Sequence, residues 1–190
     1  MRLALLLLFC PIFALAADWT LDDEHSSISF ISLKNIDAAE AHLLPSLSGT
    51  VAADGAIDVV IDLEQVDTLV PIRDERMREH VFETGRFPVA SVSGTVDMGT
   101  IEALAAGETL ETQVRFTLTF RGEETPLLAD VAVTRAGPGA LQVVTRKPIL
   151  LDAGRLGVKA GLGKLQELAG LSSISLAVPV NFTLRFARAS

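Results

Sequence analysis

The clearest strand pattern in the chain is Leu110-Glu-Thr-Gln-Val-Arg-Phe-Thr-Leu-Thr-Phe-Arg121. Apolar side chains recur at every second position, with Thr112 interrupting the series, and the positions between them carry charged, amide or hydroxyl side chains. Alternation with a period of two residues is typical of a β-strand that buries one face and leaves the other in water. The segment therefore predicts a long, half-buried strand.

The same alternation recurs through the rest of the chain. It is most regular in Ile57-Asp-Val-Val-Ile-Asp-Leu-Glu64 and in residues 174–186, where Pro179 costs one ladder hydrogen bond unless the strand bulges. Shorter examples cover residues 18–23, 26–33, 47–52, 89–98, 125–135 and 140–147. About eight strands without the spacing of βαβ units predict one antiparallel all-β domain, a barrel or a sandwich.

Three stretches are predicted as connections between strands. Residues 43–45 indicate a loop or turn, and residues 101–104 a short strand or turn within a longer connection. Residues 154–170 carry leucines at helical spacing, but their glycines weaken a helix. We therefore predict a loop there, with one or two helical turns after Gly163.

One charged stretch interrupts the strand pattern between residues 68 and 88. It reads Thr68-Leu-Val-Pro-Ile-Arg-Asp-Glu-Arg-Met-Arg-Glu-His-Val-Phe-Glu-Thr-Gly-Arg-Phe-Pro88 and predicts a helix from about Arg73 to Phe82. We interpret this helix as a cap on one end of the barrel, favouring a structural plug over a ligand gate. The apolar residues expected to turn inward are Met77, Val81, Phe82 and Phe87.

The polar residues of this helix have predicted roles as well. Arg73, Asp74 and Arg76 are expected to tie the cap to neighbouring loops. Asp74 and Arg78 have the spacing of a helical ion pair.

The first sixteen residues predict a signal peptide for export. Arg2 precedes an apolar run from Leu3 to about Phe13, and residues 14–16 offer small residues for cleavage. The run is shorter than the roughly 20 residues that span a bilayer. We expect residues 17–190 to form the mature domain, located in the periplasm or secreted.

Composition excludes several classes of function. The net charge of −8 becomes −9 once Arg2 is removed. Attraction to nucleic acid or to an anionic lipid surface is therefore not expected. Cleavage after Ala16 also removes the sole cysteine, so the core alone must hold the domain together.

The inside of such a barrel can be solid or hollow. A barrel of eight strands is just wide enough to be filled by side chains or to hold one small ligand. A membrane barrel is disfavoured because aromatic girdle residues are missing, with no Tyr and a single Trp. The sequence leaves a packed core and an apolar pocket at even odds.

Catalytic and metal-binding patterns are poor. His25, His42 and His80 do not share a metal-ligand spacing, and Ser93-Gly94 lies within a strand pattern rather than in a nucleophile elbow. We therefore predict a protein that is not an enzyme and needs no metal or cofactor, unless a quinone serves as its ligand.

Several motifs are typical of one family. Trp19-x-Leu-Asp22-x-x-His25-Ser26-x-Ile28-x-Phe30 forms an opening signature, and Ile72-Arg73-Asp74-x-Arg76-Met77, followed by Phe82 and Phe87-Pro88, is the most specific part. Further matching positions are Leu47-Ser-Gly49, Ile61-x-Leu63, Val66-Asp67-Thr68, Phe116-x-Leu118-x-Phe-x-Gly122 and Arg146. The chain thereby resembles the YceI-like family of exported, lipocalin-like barrels, also called polyisoprenoid-binding proteins.

The chain departs from the family pattern in two places. Lys34-Asn35 stands where a second histidine is usual, and the segment around His42 is the chain's own. Residues 149–173 are rich in Gly and Leu and lack the usual acidic and aromatic pattern. These departures affect the identity of a ligand more than the fold.

The resemblance implies a lipocalin-like antiparallel barrel with an apolar interior that takes an isoprenoid or other lipid of quinone or polyprenyl type. The strand pattern adds the count of about eight strands, and the charged stretch adds the short helix that caps one end. The alternative is a solid-core protein that docks a membrane redox partner through its charged helix. A periplasmic or membrane protein partner and a dimer are left open. The residues expected to line a ligand site are Ile28, Phe30, Val59, Ile61, Val114, Phe116, Leu118, Val178, Val180 and Phe182.

Overall fold

The computed structural model describes residues 18–188, and the predicted signal peptide lies outside them. Eleven strands form one antiparallel sheet that closes on itself. The strands are β1 (Trp19–Leu21), β2 (Ser27–Lys34), β3 (Ala38–Leu44), β4 (Leu47–Val51), β5 (Ala56–Asp62), β6 (Val89–Thr95), β7 (Thr109–Phe120), β8 (Glu123–Gly137), β9 (Ala140–Thr145), β10 (Ile149–Asp152) and β11 (Ala177–Arg188).

The eleven strands make a barrel with eight walls. Three walls consist of two short strands placed end to end: β1 with β2, β3 with β4, and β9 with β10. Strand β11 pairs with β9 and β10 on one side and with β1 and β2 on the other, which closes the circle. The antiparallel barrel of about eight strands is therefore confirmed.

Side-chain oxygens bridge two of the breaks in the walls. A 3₁₀ turn, Asp23–His25, separates β1 from β2. Beside it, Ser26 Oγ accepts from the Arg185 amide at 2.9 Å and donates to the Asp22 carbonyl at 2.7 Å. At the end of β9, Thr145 Oγ1 accepts from the Phe182 amide at 3.3 Å. These bonds pair backbone N–H and C=O groups at the breaks in the barrel wall, where an unpaired buried group would be costly.

The charged stretch forms the cap, although its details differ from the prediction. Helix α1 (Pro71–Arg76) begins at a proline, as first helical turns often do, and continues as a π-helical segment, Met77–Phe82. Met77, Val81 and Phe82 are buried. Phe87 was wrongly expected to turn inward: it lies outside, half-buried beneath the Arg86 guanidinium.

The expected pair between Asp74 and Arg78 is also wrong. Asp74 Oδ1 instead accepts from the Thr68 amide at 2.8 Å, and Arg78 Nη1 donates to the Glu64 carbonyl at 3.2 Å. Both side chains bind backbone groups of the segment that precedes the cap, because those groups lie closer than the oppositely charged side chain.

Three predicted connections contain regular structure instead. Strand β3 covers residues 38–44, where alanines and inward-facing polar residues had hidden the alternation. Helix α2 (Met98–Glu102) replaces the short strand or turn and is capped by Asp97, whose side chain accepts from the amides of Gly99 and Thr100. Helix α3 (Lys159–Ala169) is longer than the one or two turns expected after Gly163.

Helix α3 tolerates its glycines because one of them allows a close approach. A Cβ atom at Gly161 would lie 1.9 Å from the His80 carbonyl oxygen of the π-helical segment. Nothing lies within 4 Å of the equivalent position at Gly163. Gly161 thus lets α3 and the π-helical segment, together the two capping helices, pack backbone against backbone. A scale of helix propensities cannot anticipate this contact.

The opposite end of the barrel is sealed around Trp19. Its side chain is fully buried, and its Nε1 donates to Glu102 Oε1 of α2 at 3.2 Å. The guanidinium carbons of Arg188 and Arg135 lie 4.8 and 5.4 Å from its ring centroid. The hydrogen bonds of Glu102 to Arg188 and Trp19 hold the pKa of its carboxyl below the usual range.

We expect Gly161→Ala to destabilise the protein by about 1–3 kcal/mol, because the added methyl group must push the two helices apart. Gly163→Ala in the same helix should instead be neutral or stabilising, by up to about 1 kcal/mol. Urea unfolding followed by circular dichroism measures both changes. Equal effects of the two variants would contradict the close helix contact.

We expect Trp19→Ala to cost about 3–5 kcal/mol of unfolding free energy, because it empties a fully buried site. Trp19→Phe keeps a ring but loses the bond to Glu102, and should cost about 1–2 kcal/mol. Circular dichroism is the appropriate probe, because Trp19 is the sole tryptophan and its replacement removes the tryptophan fluorescence signal. Equal losses of unfolding free energy in the two variants would contradict the conclusion that packing of the ring, rather than its hydrogen bond, makes the larger contribution.

Candidate functional site

The barrel is hollow. Its inward side chains surround a cavity of about 670 Å³, which is within the range of roughly 300–1,000 Å³ typical of small-molecule sites. The question left open by the sequence, a packed core or a pocket, is decided in favour of a pocket.

The cavity wall is almost wholly aliphatic and aromatic, because each strand turns its apolar alternate positions inward. Phe82 of the cap and Phe120 of β7 meet edge to face, with ring centroids 6.1 Å apart. All ten side chains predicted to line a ligand site lie on this wall: Ile28, Phe30, Val59, Ile61, Val114, Phe116, Leu118, Val178, Val180 and Phe182. Their contact with a ligand stays a prediction.

Four of the five predicted cap residues also reach the cavity wall: Arg73, Arg76, Met77 and Phe82. Asp74 does not, since its carboxylate is bound to the amide and hydroxyl of Thr68. On the far side of the cap, Arg121 pairs with Glu83 and donates to the Gly157 carbonyl at 3.2 Å. The cap is therefore tied down on two sides.

The cavity reaches the surface beside the start of α1. Three of its lining residues, Val70, Ile72 and Ala169, are solvent-exposed. Two neighbouring side chains project outward from the same region: Ile36 is 92% exposed and Leu69 is 83% exposed. Both have positive φ angles, 77° and 62°, which bulky residues rarely adopt. The mouth thus lies between α1, the end of α3 and the β2–β3 hairpin, and it has an apolar rim.

A polar collar lines the cavity just inside this mouth. It consists of Ser32, Lys34, Glu40, His42 and Arg73. Lys34 Nζ lies 2.7 Å from Glu40 Oε1, and Arg73 pairs with the other oxygen of the same carboxylate. The hydrogen bond from Lys34, together with that from Arg73, lowers the pKa of Glu40. The collar is therefore an ion-paired cluster, with two cations sharing one carboxylate, on an otherwise apolar wall.

His42 is the most enclosed member of the collar, with 3% of its surface exposed. Its Nε2 lies 2.8 Å from Ser32 Oγ, and its ring centroid lies 5.1 Å from that of Phe30. Burial, assisted by the charge of Arg73, lowers the pKa of the imidazole, so the neutral form is favoured near neutral pH.

Sequence reasoning missed this collar as a site. It weighed His42 itself as a metal ligand and identified the surrounding segment as a departure that affects ligand identity, but it did not recognise β3. The alternation of alanine with Glu40 and His42 in residues 38–44 was a usable signal, because it places both polar side chains on one face. Ser32 likewise follows Ile28 and Phe30 at the strand period.

Within residues 18–188, no three His, Cys, Asp or Glu side chains come close enough to hold a metal ion. None of the helices described is both long and apolar enough to cross a membrane.

Comparison with solved structures supports the fold. A polyisoprenoid-binding domain from Saccharophagus degradans, implicated in plant cell wall breakdown, is 34% identical, with a TM-score of 0.88 over 92% of this chain and 99% of that one. BcnA from Burkholderia cenocepacia is 19% identical, with a TM-score of 0.67 over 87% of this chain and 98% of that one. The second likeness shows the fold alone.

Sequence families give a consistent result. No protein with a curated description matches the chain significantly. The model of the YceI-like domain, however, matches residues 19–186, from the buried tryptophan of β1 to near the end of β11. This match covers nearly every described residue, and the resemblance inferred from the sequence motifs is confirmed: the chain belongs to the YceI-like family.

Proposed function

We propose that this protein is an exported carrier that holds an isoprenoid or other lipid chain, of the quinone or polyprenyl type, inside its barrel. The observation that supports the proposal best is the cavity, whose wall is apolar from the sealed end at Met98 and Ile101 to the collar at the mouth. A site of this form suits a ligand with a long apolar tail and one polar end.

The physical chemistry of such a cavity favours tails of this kind. Burial of each methylene group contributes roughly 0.8 kcal/mol, so a long tail can bind tightly without charged contacts. The 34% identical relative is a polyisoprenoid-binding domain, which supports an isoprenoid over a straight acyl chain. The proposed role requires no catalytic group.

The alternative, a solid-core protein that docks a membrane redox partner through its charged helix, has less support. The barrel is hollow, and Arg73 of that helix is engaged by Glu40 and by Thr68, whose Oγ1 lies 2.9 Å from Arg73 Nε. Such docking stays a prediction.

Export to the periplasm is part of the proposal. It is supported by the apolar run from Leu3 to about Phe13 and by the small residues at positions 14–16. N-terminal sequencing of protein recovered from the periplasm should find a chain that starts at residue 17. A chain that keeps Met1 and stays in the cytoplasm would contradict this part.

Protein purified from its native host should carry an extractable isoprenoid lipid, detected by native mass spectrometry. The purified, lipid-free protein should bind prenyl alcohols with an affinity that rises at least about tenfold for each added isoprene unit until the cavity is full. Farnesol and geranylgeraniol are suitable probes. Weak binding that does not change with tail length would overturn the proposal.

Val114→Trp should weaken geranylgeraniol binding about tenfold or more, because the indole would occupy the volume that the tail fills. Val114 lines the cavity from β7. Its neighbour Arg115 is exposed on the outer face, so Arg115→Trp is the matched control and should leave the affinity unchanged. If both variants bind like the wild type, the tail does not lie in the barrel.

A further inference from the structure

The pair formed by Ser32 and His42 is incompletely hydrogen-bonded. His42 Nδ1 is buried and has no hydrogen-bond partner among the described residues. The hydroxyl of Ser32 has one polar neighbour there, His42 Nε2 at 2.8 Å. Buried polar groups are nearly always satisfied in folded proteins. One polar group of this pair therefore has no hydrogen-bond partner among the described residues.

The position of the missing partner follows from the tautomer of His42. If Ser32 donated to Nε2, the proton would sit on Nδ1, where an N–H would be buried without an acceptor and out of reach of solvent. If Nε2–H donates to Ser32 Oγ instead, Nδ1 is a bare lone pair, and the free proton is that of the Ser32 hydroxyl. Orphaned buried N–H groups are the rarer and costlier case. The second tautomer is therefore favoured.

The free hydroxyl proton can be reached from the cavity. Ser32 is half-buried and lines the cavity beside the mouth, next to Lys34 on the same face of β2. Phe30, one step further in on that face, begins the apolar wall. A lipid whose tail lies along this wall would bring its polar end to Ser32.

The charges around the pair favour an uncharged head group. The groups that face it are Lys34 on β2, Glu40 on β3, and Arg73 and Asp74 on α1. Their formal charges sum to zero once Asp74 is counted, although its carboxylate is bound to Thr68 and does not reach the cavity wall, and both cations of the collar already pair with Glu40. Within the collar, an anionic head group such as a phosphate would have to compete with the Glu40 carboxylate for both cations, and Arg76, which lines the cavity outside the collar, donates to the Leu168 carbonyl at 3.5 Å.

We propose that Ser32 is the head-group residue of the cavity, and that its hydroxyl donates a hydrogen bond to an uncharged acceptor oxygen, of the carbonyl class, on the bound lipid. His42 is a positioning residue that orients this hydroxyl through its Nε2–H. The inference rests on the proposed carrier function and adds to it the chemistry of the ligand's polar end.

The test uses three probes with the same tail: geranylgeranylacetone, the hydrocarbon in which a methylene replaces its carbonyl, and geranylgeranyl phosphate. Ser32→Ala should weaken binding of the ketone roughly three- to tenfold and leave the hydrocarbon unchanged. Ser29→Ala, on the same strand but away from the cavity wall, is the matched control and should change neither. In the wild type, the phosphate should bind no more tightly than the ketone.

A second measurement tests the role of His42. Nitrogen-15 NMR of the wild type should show a neutral ring protonated at Nε2, and the ketone but not the hydrocarbon should shift this signal. His42→Phe keeps a ring against Phe30 and should lower ketone affinity selectively. Protonation at Nδ1, or an equal loss of affinity for ketone and hydrocarbon, would overturn the positioning role.

The remaining outcomes separate this inference from the carrier function. If the wild type binds neither ketone nor hydrocarbon, the carrier function fails and the subsite fails with it. If both bind equally well and Ser32→Ala has no effect, the subsite alone is overturned. A phosphate that binds more tightly than the ketone would overturn the preference for an uncharged head group.

Discussion

The structure depends on the hydrogen bonding of β11 along both of its edges. This strand pairs with β9 and β10 on one side and with β1 and β2 on the other, so the sheet has no free edge where the first and last walls meet. Closure removes the exposed backbone groups that make open sheets prone to further pairing. It also forces the alternate apolar side chains of all eight walls towards a common interior.

Closure alone does not produce a cavity, because a barrel of eight walls can also be filled by its own side chains. Here one end is sealed, and the other is covered except for the mouth beside α1. Trp19 and α2 close one end with a buried ring and with Glu102 paired to two arginines, whereas the capping helices cover the other. The cap is held at its sides by Arg73 and Arg121. The volume between the two ends is left to a ligand.

The polar collar makes the mouth of the cavity chemically different from the rest of its wall. An apolar tail gains free energy anywhere along the wall, but hydrogen-bonding groups face the cavity mainly at the mouth. Ion pairing with the single carboxylate of Glu40 lets both Lys34 and Arg73 lie beside an apolar space. The same arrangement keeps His42 neutral, since burial and the nearby Arg73 both disfavour the imidazolium.

The inward-facing side chains can be read from the sequence, because the strand period of two assigns each residue to one face. The sequence thus placed Phe30, Phe116 and Phe182 on the wall and indicated a cap near Met77. That the barrel is hollow follows from the three-dimensional packing, since the space inside depends on how deeply the cap and Trp19 enter it. Likewise, the register of β2 with β3 brings Ser32 next to His42. The close approach of Gly161 to the His80 carbonyl is what makes a glycine favourable within α3. Such contacts join residues distant in the chain, and no local pattern encodes them.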